Sequence, residues 1–137
     1  MKYYLAHPFV RRQFVRCWEL NAEPKLNVEL INPFYDVERK DISKEDIGTV
    51  DRYSGDPAAI VDNDVELIQD CNGFIGIVDG SLSYGTIMEI VYAHSCFNVE
   101  HVILLVTNGE EKHPWFRYHA THIVTTFTAL EELIRKL

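Results

Sequence analysis

Hydrophobic positions along the chain gather into short continuous runs, separated by longer stretches with a helical period. Tyr3 to Ala6, Asn27 to Ile31, Phe74 to Val78, Val102 to Thr107 and Ile123 to Thr126 have the length and continuity of buried strands. Helices are predicted from Phe9 to about Leu20, from Pro57 to Cys71, from Gly85 onward, and from Ala129 to Leu137. His7-Pro8 breaks the first strand and Asn32-Pro33 closes the second, while Asp56-Pro57 is a helix start, an N-cap followed by Pro at the first helical position. In the first helix Phe14, Val15, Trp18 and Cys17 are expected to face inward; in the last, Leu130, Leu133, Ile134 and Leu137. Phe34 to Gly55 is charged and has no core face, so it reads as a lid or binding loop, compatible with a short helix over Ser43 to Val50. Strands and helices alternate, and the strands are apolar throughout. That pattern implies an α/β fold with five parallel, or mostly parallel, strands covered on both faces.

Two carboxylates interrupt this pattern. Between Tyr84 and Phe97 the only formally charged residue is Glu89, on a helix that has no solvated face and should therefore be buried. Asp64 lies near the centre of the apolar arc of its helix, with Ile60 and Ile68 one turn away on either side. Buried carboxylates are costly unless paired, hydrogen-bonded or useful. A plain reading satisfies Glu89 with a neighbouring tyrosine or amide, and Asp64 with a loop amide beyond the end of the core. The chemical reading takes them together. Glu89, on the second turn of its helix, is favoured in the ionised form by the helix dipole, and Asp64, desolvated among aliphatic side chains, is expected to hold a proton. One ionised and one protonated carboxyl is the division that glycosyl transfer uses.

Composition restricts the partners. The 137 residues suit one domain spanning 1–137, and 47% hydrophobic with 25% charged residues is ordinary for a soluble globular protein. A formal net charge of −8 argues against a nucleic-acid polymer as partner, but leaves room for a small anion held locally. Cys17, Cys71 and Cys96 are odd in number, lack metal-ligand spacing, and read as reduced, buried thiols on helices of a cytoplasmic protein. The N-terminal apolar stretch is too short for a signal peptide, and no run approaches membrane-spanning length.

Tyr4-Leu-Ala at the first strand, Asn32-Pro33 after the second, Asn63-Asp64 on a helix, and Gly85-Thr86-Ile-Met-Glu89-Ile with Tyr92-Ala93 resemble the nucleoside 2-deoxyribosyltransferase superfamily. That superfamily includes 2'-deoxynucleoside 5'-phosphate N-hydrolases and hydroxymethyl-cytidylate hydrolases. The resemblance runs in order from Tyr4 to the C-terminal helix. Its most specific parts are the Gly-Thr-x-x-Glu block and the spacing from Asp64 to Glu89. It implies a flavodoxin-like three-layer sandwich, homo-oligomers (dimers or higher) in which a neighbouring subunit helps to close each site, and no metal or organic cofactor. It also implies a small-molecule nucleoside or nucleotide as substrate. Carried over, Glu89 attacks C1' of the deoxyribose, Asp64 handles the proton of the leaving base, and Tyr4 orients Glu89. Ser83, Gly85, Arg11, Arg12, Phe9, Phe34, His7 and Asp79 are the expected substrate-binding residues.

Two positions depart from the family pattern. The transferases carry Asp six residues before the nucleophile, where this chain has Ser83; the nucleotide hydrolases have Ser there, near the 5'-phosphate. A hydroxyl can donate to a phosphate that a carboxylate would repel. The Gly common after Tyr-x-Ala is His7 here, which predicts a differently shaped loop after the first strand. Arg11 or Arg12, with the helix amides, is expected to supply positive charge for a phosphate, against the plain alternative of an exposed helix start. The expected activity is cleavage of the N-glycosidic bond of 2'-deoxyribonucleosides or, slightly favoured, their 5'-monophosphates, by hydrolysis or by transfer. The alternatives are a transferase acting on unphosphorylated nucleosides and a non-catalytic nucleotide-binding module. A phospho-acceptor role for Asp79 lacks the acidic pair and the lysine it would need, and the glycine spacing around Phe74 to Gly80 is not a dinucleotide fingerprint. His113 to His119 suits neither zinc nor a nucleic-acid platform and reads as interface or pocket wall. Ile103 to Val106 with Trp115, Phe116 and Tyr118 offer apolar surface for a homo-oligomer.

Overall fold

Every strand of the sheet runs parallel to its neighbours, as continuous apolar runs lead one to expect. The structure, a computed structural model, describes residues 1–35 and 56–137. Strands β1 (Lys2–Ala6), β2 (Glu29–Ile31), β3 (Gly73–Val78), β4 (His101–Val106) and β5 (His122–Val124) pair in the order β2-β1-β3-β4-β5. This is the flavodoxin-like order, whose switch point lies between β1 and β3. Helices α1 (Arg12–Leu26), α2 (Pro57–Gln69), α3 (Tyr84–Val91), α4 (Pro114–His119) and α5 (Phe127–Lys136) alternate with the strands. A single 3-10 turn (Phe9–Arg11) leads into α1, and a π-helical turn (Tyr92–Cys96) prolongs α3.

Alternation along each strand sends successive side chains to opposite faces, and both faces are covered. Tyr3, Leu5, Ile75, Ile77, Ile103 and Leu105 meet Val15 and Ala22 of α1 and Leu130 and Ile134 of α5. Tyr4, Ala6, Phe74, Val102, Leu104 and Val106 meet Ile68 of α2 and Ile90 of α3. Tyr4 therefore belongs to the same layer as the two helices that carry Asp64 and Glu89. Gly76 brings α3 close. A Cβ there would lie 2.9 Å from Leu104 Cδ2, 3.1 Å from Phe74 Cε1 and 3.3 Å from Ile90 Cγ1, so any side chain would displace Leu104 and crowd α3.

Several sequence expectations need correction. Helix α1 continues to Leu26 rather than ending near Leu20, because its buried stripe runs on through Ala22; Pro24 sits in its last turn, and Asn27 ends it in the left-handed conformation (φ 54°). Phe14 is 61% exposed, and Cys17 and Cys96 are also exposed, leaving Cys71 as the buried thiol. The inward stripe of α1 is Val15, Glu19 and Ala22, with Trp18 and Leu26 packed at its edge. Leu137 is exposed past the end of α5. Thr126, expected as the end of the last strand, caps α5 by accepting from the Ala129 amide at 3.1 Å. Ile103 to Val106 are wholly consumed by the core and offer no oligomer surface; Trp115 and Tyr118 remain exposed. Helix α3 is not buried on all sides, since Tyr84, Ile87, Met88 and Tyr92 face outward. Of the expected loop after β2, residues 36–55 lie outside the described residues, and the short helix over Ser43 to Val50 lies with them. No helix among the described residues is long and apolar enough to cross a membrane.

Candidate active site

Ligand crevices in open α/β sheets form at the carboxyl ends of the strands where the connections diverge, here between β1 and β3. Tyr4 of β1 stands in register with Phe74 of β3, and the two rings stack with centroids 5.7 Å apart. Helix α3, held close over Gly76, brings Glu89 to that ring. The Tyr4 hydroxyl donates to Glu89 Oε2. Asp64 of α2 is half-buried, and its charge acts on both Tyr4 and Glu89. Residues from three separate segments thus come within electrostatic reach of one another. Gly85 borders them: a Cβ on it would stand 3.7 Å from Glu89 Oε1, so its lack of a side chain leaves one flank of the carboxyl open.

Electrostatics alter the expected division of labour. Burial raises the Glu89 carboxyl from 4.5 to about 8, with Asp64 pushing in the same direction and the Tyr4 hydrogen bond opposing both. The helix dipole, expected to keep Glu89 ionised, is outweighed by removal from water. Tyr4 is pushed far above the usual phenol range, first by burial and then by the charges of Glu89 and Asp64, so it remains a hydrogen-bond donor at any working pH. A carboxyl whose folded value exceeds its unfolded one binds an extra proton in the native state, so its ionisation removes stability as pH rises from about 4.5 to about 8. Glu89→Gln should therefore melt higher than the wild type at pH 8, by roughly 3–10 °C, with the difference vanishing near pH 4. Equal melting curves at both pH values would show that Glu89 is not held protonated.

The two arginines separate. Arg11 Nε donates to Asp79 Oδ2 at 2.6 Å, tying the start of α1 to the end of β3 across the switch point. Burial alone would raise Asp79, but hydrogen bonds from Ser81 and the Arg11 guanidinium hold it below the usual carboxylate range. About half of the Arg11 side chain remains exposed. Arg12 instead lies over the Phe9 ring at 4.0 Å and donates to the Phe9 carbonyl at 2.9 Å. Ser83 occupies the N-cap position of α3, yet its hydroxyl contacts Thr86 Oγ1 at 2.7 Å and does not cap the backbone.

Phe9, Phe34 and His7 form an aromatic ladder. Phe34 meets His7 edge-on at 5.0 Å and Phe9 at 5.5 Å. His7, expected to contact substrate, is buried beneath this ladder. Its Nε2 lies 3.1 Å from Asn32 Oδ1 and its Nδ1 3.2 Å from the Pro8 carbonyl, and burial lowers its basicity. Two buried polar residues behind it, Asn32 and Glu19, are not among the expected site residues. Asn32 Nδ2 donates to Glu19 Oε2 at 3.0 Å, and Arg16 Nη1 donates to Glu19 Oε1 at 2.7 Å. Glu19 betrays itself in sequence only by falling on the stripe of Val15 and Ala22, three to four residues away. Helix α4 also went unread, although His113-Pro114 repeats the start signal of Asp56-Pro57; His113 Nδ1 accepts from the Trp115 amide at 3.2 Å. Among the described residues no three His, Cys, Asp or Glu side chains converge as a metal site.

No protein-family profile and no curated protein sequence matches the chain. Solved structures do. A 2-deoxyribosyltransferase from the psychrotolerant bacterium Bacillus psychrosaccharolyticus superposes with TM-score 0.71 at 20% identity, covering 96% of this chain and 90% of that one. The CMP N-glycosidase BcmB of Clostridium botulinum superposes with TM-score 0.62 at 17% identity, covering all of both chains. At these identities the likeness is one of fold, and it extends over the whole three-layer sandwich.

Proposed function

We propose that this chain, as a single domain, is an enzyme that cleaves the N-glycosidic bond of 2'-deoxyribonucleosides, with their 5'-monophosphates favoured, releasing the base to water or passing the deoxyribosyl group to another base. The observation that carries this reading is the half-buried Glu89 carboxyl, held by the Tyr4 hydroxyl and within electrostatic reach of Asp64. The fold shared with a deoxyribosyltransferase and an N-glycosidase supports it. In the proposed reaction the two carboxyls share one proton: with it on Asp64, the ionised Glu89 attacks C1' while Asp64 delivers that proton to the departing base, and the C1'–N bond breaks as the C1'–O bond forms. Water or an acceptor base then displaces Glu89. Tyr4 stays protonated and fixes which carboxylate oxygen remains free to attack. Incubation with a panel of deoxynucleosides and monophosphates, with and without acceptor base, should release or exchange base on chromatography; a panel that returns every compound intact overturns the reading. Because the pair must keep one proton for the leaving base and holds it up to about 8, kcat/KM should fall as pH rises through that value.

Preference for a 5'-monophosphate rests on Ser83 and Arg11. The first-turn amides of α3 are not capped by the Ser83 side chain, and Arg11 is oriented by Asp79 at the same sheet edge. One charge-assisted contact is worth about 1.5–3 kcal/mol, or roughly tenfold to hundredfold in binding. The monophosphate should therefore exceed its nucleoside in kcat/KM by at least about tenfold, and Ser83→Asp should reverse the order. Equal use of both substrates by the wild type would return the protein to a transferase of unphosphorylated nucleosides.

We also propose a homo-oligomer built on the outward face of α3, where Tyr84, Ile87, Met88 and Tyr92 are exposed on the helix that carries Glu89. Light scattering should give a multiple of 15.9 kDa. A fully active monomer at micromolar concentration contradicts this.

A further inference from the structure

Three of the five buried polar residues among the described ones, His7, Glu19 and Asn32, form one chain with Arg16. Arg16 donates to Glu19, Glu19 accepts from Asn32, and Asn32 Oδ1 faces both His7 Nε2 at 3.1 Å and the Phe34 amide at 3.2 Å. Glu19, Asn32 and His7 are 1%, 0% and 3% exposed, a heavy investment of polarity in the interior of a small sheet protein. Their connections are specific. The Phe34 amide and the Glu19 carboxylate fix the Asn32 amide orientation, with oxygen toward His7 and nitrogen toward Glu19. His7 Nε2 must then be the donor to Asn32. Through His7 the chain supports the edge of Phe34, and through Phe34 the ring of Phe9. It joins α1, the end of β2 and the segment after β1, the two connections that border one side of the switch-point crevice.

We infer that Glu19, Asn32 and His7 are positioning residues, a buried relay that sets the Phe9–Phe34 aromatic wall at the angle at which substrate stacks against it. An apolar replacement would fill the same space without fixing the angle, which is what separates this role from core packing. The inference rests on the functional reading above. Failure of that reading appears as a wild type that releases no base; failure of this inference appears as a wild type that does, with variants of unaltered KM.

Steady-state kinetics on Asn32→Ala, Glu19→Leu and Glu19→Gln test it. Asn32→Ala and Glu19→Leu should raise KM by about tenfold or more while kcat stays within about threefold, since the wall binds substrate and does not touch the breaking bond. Glu19→Gln keeps one oxygen for Asn32 Nδ2 and should restore most of the loss. KM values within twofold of wild type in folded variants, or a glutamine no better than leucine, overturn the relay. If the variants do not fold, imidazole 15N spectra of the wild type decide. His7 should carry its proton on Nε2, and its ring signals should move when a free nucleobase is added. A proton on Nδ1 alone, or a ring indifferent to the base, overturns it equally.

Discussion

Glu89→Gln should lower base release by about a thousandfold or more, with the folded protein retained and nucleotide binding largely intact. The substitution keeps the length of the side chain and an oxygen for the Tyr4 hydroxyl, which donates to Glu89 in the native protein. What it removes is the negative charge that bonds to C1'. Covalent catalysis by a carboxylate splits one difficult displacement into two easier ones, and an amide oxygen is too poor a nucleophile to substitute. Loss of a catalytic nucleophile costs on the order of 10³–10⁶ in rate, or about 4–8 kcal/mol of transition-state stabilisation. Two measurements separate this from a structural effect. The variant should melt higher than wild type at pH 8, because the burial that raises Glu89 no longer opposes a charge. It should also form no adduct trapped by rapid quench. Turnover within tenfold of wild type would remove Glu89 from the nucleophile's role.

Asp64→Asn should discriminate among leaving groups. A base that departs as a poor anion needs a proton in the transition state; one with an activated, electron-poor ring does not. General acid catalysis contributes about 10²–10⁴-fold, so natural bases should slow by that factor and an activated base by less than about tenfold. The structure places Asp64 on α2, half-buried, with its charge felt by both Glu89 and Tyr4. Removing that charge should also lower the Glu89 value, because Asp64 helps to raise it, and the falling limb of kcat/KM should be lost with the shared proton. Uniform slowing of all substrates with an unmoved limb would make Asp64 a packing residue.

The sheet was legible because β1, β3 and β4 are buried on both faces and therefore read as nearly continuous apolar runs. Glu89 and Asp64 stood out for the complementary reason, as charges where the local pattern permits none. Tyr4 was found only through the resemblance, since a tyrosine inside an apolar strand is ordinary and its partner lies 85 residues away. The charge state of Glu89 differs from the expectation because the helix dipole is visible in sequence, whereas the desolvation of the carboxyl beside Tyr4 and Asp64 is a tertiary fact. The same applies to Phe14, which sits on the rim of α1 with its edge on Phe127 at 5.6 Å, a position fixed by where α5 docks. Helix α4, by contrast, carried its start signal in plain view at His113-Pro114 and was obscured by its short length. Glu19 was missed because a charged residue is assigned by default to the wet face of an amphipathic helix. Its hydrogen-bond donors Arg16 and Asn32 help to explain its place inside.

The strand order β2-β1-β3-β4-β5 also has a consequence for how the protein comes off the ribosome. Strand β1 is made first and lies inside the sheet, but one of its two neighbours, β3, begins some 70 positions later. At about 5–20 residues per second, the 85 positions between Tyr4 and Glu89 take roughly 4–17 s to emerge. Until β3 emerges, β1 has β2 alone for company and one apolar edge unpaired, the condition in which nascent strands find wrong partners. The Tyr4–Glu89 contact waits longer still, for α3.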